Sequence, residues 1–164
     1  MANPAGAKGR SKEHDVAGVY RAAGFPEAKR KRQTGALDEG DLDGIPDLTV
    51  EVKYAGPGQP LNLGAAVDEA VAERDNADTP YYVAAVHRAR KGPGDTYAVR
   101  RLEDEAAMYR ELVTLRGLAQ ETEYLLDAAR KAERQADDAS LLALAHAIKR
   151  ATATIAEITP PTHR

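Results

Sequence analysis

Gly40-Asp41-Leu42-Asp43-Gly44-Ile45-Pro46-Asp47-Leu48-Thr49-Val50-Glu51-Val52-Lys53 is the stretch on which the reading of this chain turns. Its second half alternates, with Val50, Val52 and Tyr54 on one side and Glu51 and Lys53 on the other. That period of two predicts a β-strand over residues 49–54. Glu51 and Lys53 then project from one face, about 7 Å apart along it. Gly44-Ile45-Pro46 predicts a turn, with a preceding strand over residues 40–43. Folding back around that turn brings Asp41 or Asp43 beside Glu51. Asp47 is separated from Glu51 by only three residues. That is too few for a hairpin, so Asp47 lies on the same strand or just before it.

Two carboxylates and the backbone carbonyl of Val52 form an all-oxygen donor set suited to Mg²⁺ or Mn²⁺. Without a cation, clustered carboxylates raise one another's pKa values, and a divalent ion removes that penalty. The same ion activates water, and a lysine at the edge can orient or deprotonate that water or stabilise charge on a phosphate. The chemistry expected of this arrangement is phosphodiester hydrolysis.

The flanking sequence places the stretch in an α/β core. Ser11 is an expected N-cap for a helix of about 12 residues carrying Val16, Val19, Tyr20 and Ala23 on one side, ended by Gly24 and Pro26. Residues 28–34 are too charged for a central strand and read as an edge. Residues 55–60 are a Pro/Gly loop. Residues 63–75 form a helix with Leu63, Ala66, Val67, Ala70 and Val71 as its buried stripe. Tyr81-Tyr82-Val83-Ala84-Ala85-Val86 is a nearly continuous apolar run, as in a strand covered on both faces, and 96–101 is a further strand. The Glu51 strand, the helix and the Tyr81 strand make a parallel β-α-β unit. From Glu103 onward the chain is helical. One apolar stripe runs through Met108, Leu112, Leu115, Ala119, Thr122, Leu126 and Ala129. Another runs through Leu141, Leu144, Ile148, Ala151, Ile155 and Ile158, after a break at Asp137-Asp138-Ala139-Ser140. A helical hairpin, for core packing or dimerisation, is expected. The organisation is thus a flexible basic arm (1–10), an α/β core (11–112) and a helical extension (113–164).

The 164 residues carry 23 basic and 26 acidic side chains, a net charge of −3 that hides local segregation. Eight basic residues against three acids lie between Lys8 and Arg32, six acids and no base between Asp38 and Glu51, and five bases against Asp95 alone between His87 and Arg101. Basic segments bracketing an acidic cluster fit a cation site beside a phosphate-binding groove. Lys8, Arg10, Lys29, Arg30, Lys31, Arg32, Arg88, Arg90 and Lys91 are the candidates for DNA backbone contact. With one Phe, seven Tyr and no Trp, base stacking is disfavoured relative to shape and phosphate recognition. The absence of cysteine excludes disulfides, thiolate zinc sites, iron–sulfur clusters and cysteine nucleophiles. There is no apolar run of about 18 residues, and Met1 to Arg10 has no signal-like apolar segment. A cytoplasmic protein without membrane association is expected. Walker, dinucleotide, zincin and nucleophile-elbow motifs are absent.

An acid followed by Glu-x-Lys, in the order helix–strand–strand–strand–helix–strand, resembles the PD-(D/E)XK nuclease superfamily. The nearer resemblance is to phage-encoded Holliday junction resolvase-like endonucleases, with their Gly-Asp-(Ile/Leu)-x-Gly-Ile-Pro-x-(3)-Glu-Val-Lys signature. It covers residues 8–112, including Val67-Asp68-Glu69-Ala70 and Val86-His87-Arg88. The resemblance implies a restriction-endonuclease-like αβββαβ core with a mixed central sheet. It implies an Mg²⁺- or Mn²⁺-dependent endonuclease cutting branched or four-way DNA as a homodimer, in the host cytoplasm if phage-encoded. It assigns the metal to Asp41 and Glu51, with Asp43 in reserve, water assistance to Lys53, and the first-helix acid to Glu13. The alternatives are a restriction- or repair-type nuclease of the same fold, and a non-catalytic DNA-binding or assembly protein.

Overall fold

The computed structural model of the chain describes residues 4–32, 37–54, 60–135 and 138–158. Helix α1 spans Pro4–Ala22. Residues 4–10 are therefore helical where a mobile arm was expected, and Ser11 lies inside the helix, not at its N-cap. Proline at the first helical position sacrifices no hydrogen bond, and Ala5 and Ala7 favour helix, which explains the early start. Gly24, at φ +103°, follows the last turn, as expected of a helix stop.

Strands β1 (Lys29–Arg30) and β2 (Leu42–Asp43) pair antiparallel. Strand β3 (Leu48–Tyr54) pairs in parallel with β4 (Tyr81–His87), and helix α2 (Leu63–Ala77) connects them. After a short 3₁₀ turn at Pro93–Asp95, β5 (Tyr97–Val99) adds antiparallel to β4. The order α-β-β-β-α-β and the mixed pairing follow the expectation. The ladder, however, divides into a two-stranded piece, β1-β2, and a three-stranded sheet, β3-β4-β5. The expected strand over 40–43 shrinks to two residues because Gly40, at φ +92°, kinks the chain immediately before it. A single backbone bond across this kink, Asp41 N–H to Val50 C=O at 2.9 Å, ties β2 to β3. The expected edge over 28–34 is likewise cut to Lys29–Arg30, its last two positions lying outside the described residues, as does 55–59 of the expected loop.

The parallel register puts Val50 opposite Val83 and Val52 opposite Ala85, with Glu51 opposite Ala84 on the other face. The first face packs on Val16, Ala17, Ala28, Leu42 and Ile45. The second is covered by Ala66, Val67 and Ala70 of α2, packed against Tyr82 and Ala84. Leu63, expected in the α2 stripe, is exposed at the first helical position. The Glu51 face of β3 is therefore roofed by a helix, and its polar side chains are held out of water.

The chain divides into two units, Met1–Asp104 and Glu105–Arg164, eight residues earlier than the expected boundary at 112. Helices α3 (Leu102–Gln135) and α4 (Asp138–Ile158) fill the second, and Asp137 of the expected break lies outside the described residues. Within that unit Arg150 bonds Glu121 at 3.1 Å and lies over the Tyr124 ring at 4.4 Å. These residues are nearly equidistant in sequence from the helix break, as an antiparallel hairpin requires. Its buried positions are the small Ala128, Ala132, Ala147 and Ala151 with Ser140, whereas Leu112, Leu115, Leu126, Leu141 and Ile148 of the expected stripe are exposed. Among the described residues of the hairpin, the buried side chains are thus the small ones. Among the described residues no helix is long and apolar enough to cross a membrane.

Gly44 makes the turn possible. At φ +78°, a Cβ there would stand 2.1 Å from the Glu27 carbonyl oxygen. Gly44→Ala is expected to destabilise the protein by more than ~2 kcal/mol in urea unfolding. Gly117→Ala, mid-helix with open space around it, is expected to stabilise by roughly 0.5–1 kcal/mol.

Candidate functional site

The kink at Gly40 and the turn at Gly44 swing Asp41 onto the flank of β3. Its Oδ2 accepts a hydrogen bond from the Val52 N–H at 2.8 Å. A strand residue's N–H and C=O leave from the same edge, so the Val52 carbonyl opens on the Asp41 side as well. Asp41 lies in the kink just before β2, not on the strand itself.

Glu51 is buried, and its Oε1 lies 2.5 Å from the Lys53 ammonium. The same ammonium reaches Oε2 of Glu69 on α2 at 2.7 Å. The Asp41 and Glu73 carboxyls lie close enough to the Glu51 carboxyl for each to act on the other's protonation. Glu73, one turn along α2 from Glu69, is only 2% exposed, and its Oε2 has no partner. Oxygens of Glu51, Glu69 and Glu73 all lie within 4.8 Å of one another. One lysine thus faces four carboxyl groups drawn from the kink, β3 and α2.

Buried carboxyls crowded together hold their protons to higher pH. Burial, reinforced by the neighbouring Glu51 charge, pushes Asp41 up to about 8. Burial pushes Glu51 up to about 7 against the opposing pull of Lys53. Burial also lifts Glu73 to about 7. Burial works to lower Lys53, but the Glu51 and Glu69 carboxylates more than offset it and hold its pKa above the ordinary lysine value. Without an added cation the cluster retains protons near neutrality, the signature of negative charge in excess.

Asp41, Glu51 and Lys53 are therefore brought together as expected. Glu13 lies close enough for its charge to raise Asp41, and it is ion-paired with Arg30. Asp43 is engaged elsewhere, with Lys29 at 3.6 Å and the Gly44 N–H at 2.9 Å. Lys31 pairs with Glu39 at 2.6 Å. Three of the four bases at 29–32 thus carry acidic partners, while Arg32 is exposed. Arg10, Arg90 and Lys91 are exposed, and Arg88 stacks over Tyr97 at 4.6 Å. The Lys8 side chain lies outside the described ones. His87 is 5% exposed, against Thr96 and the Tyr54 ring, so it is a packed strand-end histidine. Burial, with Lys12 nearby, lowers its pKa.

Glu69 and Glu73 received no role from the sequence. One signal was available. The stripe Ala66, Ala70 continues by helical spacing onto Glu73, so an acid interrupts the face that packs on the sheet. An acid at such a position is buried by the helix that carries it.

Comparison with protein-family models, with curated proteins and with solved structures gives no match.

Asp41, Glu51 and Glu73 bind protons more tightly folded than unfolded, where such groups titrate near about 4. Their contribution to stability is complete below that pH and is lost as pH rises through about 7 to 8. In EDTA, the melting temperature is expected to fall by several degrees between about pH 6 and pH 8.5. Added Mg²⁺ should restore more of it at the higher pH. Thermal unfolding followed by circular dichroism checks both.

Proposed function

We propose that this chain is a metal-dependent DNA endonuclease with a restriction-endonuclease-like core of the PD-(D/E)XK type, and that it cuts branched DNA as a Holliday junction resolvase does. The observation that carries the reading is the direct contact of Asp41, Glu51 and Lys53 in one cluster. The donor set fits a hard cation. It is all oxygen, and its carboxyls retain protons for want of positive charge. Asp41 and Glu51, with the Val52 carbonyl, would hold Mg²⁺ or Mn²⁺. The ion supplies charge neutralisation at the phosphate and activation of the attacking water.

The protein's own side chains define the rest. Lys53 is kept protonated by two carboxylates, so it acts as a hydrogen-bond donor that positions water or phosphate, and the deprotonating role is set aside. Glu13 adds negative charge next to Asp41 and holds Arg30 at the site margin. Arg32, Arg90 and Lys91 are the exposed cations that would meet the DNA backbone. Symmetric cutting of two strands calls for a two-fold dimer. The exposed leucines of α3 and α4 support pairing through the helical hairpin.

Glu51→Gln and Lys53→Ala are each expected to reduce Mg²⁺-dependent cutting of a four-way junction by on the order of 10²-fold or more. Folding and junction binding should be retained, as judged by circular dichroism and gel shift. Unimpaired cutting by either variant overturns the assignment. Equal cutting of matched linear duplex favours a restriction- or repair-type nuclease. Junction binding by the wild-type chain with no cutting in Mg²⁺ or Mn²⁺ favours a non-catalytic DNA-binding protein.

A further inference from the structure

We propose that Glu51, Glu69 and Glu73 form a second divalent-cation site, roofed by α2, and that the Lys53 ammonium occupies it when no ion is bound. The site shares Glu51 with the proposed nuclease centre, but it stands on α2 residues and does not require the chain to cut DNA.

The argument begins with Glu73. Its side chain lies on the face of α2 that packs on the sheet, 2% exposed, and one of its carboxylate oxygens has no hydrogen-bond partner. A buried carboxylate oxygen without a partner costs free energy, and such atoms are rare in folded proteins. Lys53 does not relieve it, because its described ion pairs are to Glu51 and Glu69, at 2.5 and 2.7 Å. The ammonium therefore serves two of three converging acids and leaves the third.

The size of the cluster fits an ion. Its three oxygens lie within 4.8 Å of one another. Two oxygens on opposite sides of Ca²⁺ stand roughly 4.6–5.2 Å apart, and around Mg²⁺ roughly 4.0–4.2 Å, from bond lengths of about 2.3–2.6 and 2.0–2.1 Å. Oxygens no farther apart than this are within reach of one divalent cation, and Ca²⁺ requires less contraction of the cluster than Mg²⁺. Three carboxylates and no nitrogen or sulfur donor select a hard divalent ion. Placed among them, the ion gives Glu73 its partner and releases Lys53 from Glu51 and Glu69. Cation and ammonium thus compete for the same oxygens.

Spacing supports the site from the other side. Glu69 and Glu73 are four residues apart on one helix, so both project from one face toward β3. Like charges at that spacing destabilise a helix, and β3 offers the pair only Lys53. Glu69 is 52% exposed, which leaves an entry path for a hydrated ion.

Mn²⁺ binding to the purified full chain, followed by loss of the free-ion electron paramagnetic resonance signal, tests this directly. The wild-type chain is expected to take up two ions. Asp41→Asn should keep the ion held by α2. Glu69→Gln should lose that ion, or weaken it more than tenfold, with an unchanged melting temperature in EDTA. Glu73→Gln should do the same; if it fails to fold, the half-exposed Glu69→Gln decides alone. Lys53→Met should tighten the Glu69-dependent ion, since the competing ammonium is gone. Identical Mn²⁺ isotherms for wild type and Glu69→Gln overturn the proposal, as does weaker binding in Lys53→Met. A chain that cuts no DNA but shows the Glu69-dependent ion refutes the nuclease reading alone. A chain that cuts DNA with a single Asp41-dependent ion refutes this one alone.

Discussion

Glu51 is a carboxylate that the fold places out of water beside three others, with one lysine to answer them. Everything around it can be read as a response to that constraint. β3 cannot turn its Glu51 face to solvent, because α2 covers it and the α1 face is already filled by Val50, Val83 and Ala85. The kink at Gly40 then adds Asp41 from the flank, and α2 adds Glu69 and Glu73 from above. A protein selected only for stability would place apolar side chains here, since isolated buried carboxylates are costly and paired ones rarely better than neutral. A raised affinity for protons at three of the four carboxyls is the local compromise. A hard cation is the chemical species that removes the need for it.

How the backbone achieves this explains the sequence pattern itself. Gly40 and Gly44 both have positive φ, and at each a Cβ would collide with a neighbouring strand or loop. Gly44 lets the turn pass against Glu27, and Gly40 lets the chain cross Thr49 and Val50 closely enough for Asp41 to bond the β3 edge. Ile45, directly after Gly44, enters the core and anchors the turn. The glycines, the acid and the isoleucine of that short stretch are thus geometrical requirements of one corner. That holds whatever reaction the corner serves.

The strand carrying Glu51 and Lys53, the helix after it and the apolar strand beyond were legible because each follows a simple period with clear punctuation. The Asp41–Glu51 contact was legible from the turn. What sequence could not reveal was which way α2 rotates over the sheet, since Ala66, Val67, Ala70 and Val71 define a stripe broad enough to leave the neighbouring acids undecided. Glu73 falls inside the buried arc and Glu69 at its margin, and only coordinates separate an acid on a wet face from one pressed onto β3. The hairpin was visible as two amphipathic helices. Its stripe was legible only in part: Ala151 is buried as expected, but most of the buried described positions are alanines, which score weakly as hydrophobic, while Leu112, Leu115, Leu126 and Leu141 are exposed.

Charge segregation along the chain also acquires a structural meaning. β1 and β2 lie antiparallel with Lys29 opposite Asp43, and the Lys29 and Lys31 side chains neutralise Asp43 and Glu39. Asp41 lies between these two acids in sequence. Among the described ion pairs it has none; it accepts a hydrogen bond from the Val52 N–H and faces the Glu51 carboxyl instead. Arg30, of opposite parity, is taken by Glu13. The basic run therefore has a role within the fold itself. It removes the flanking acids from competition and leaves Asp41, in the kink before β2, as the acid directed at Glu51. Coulomb attraction between exposed pairs is worth little by itself. Arranged by strand pairing, it sorts one acidic cluster into carboxylates that are locally balanced and a smaller set whose excess charge is offset by Lys53 and by retained protons.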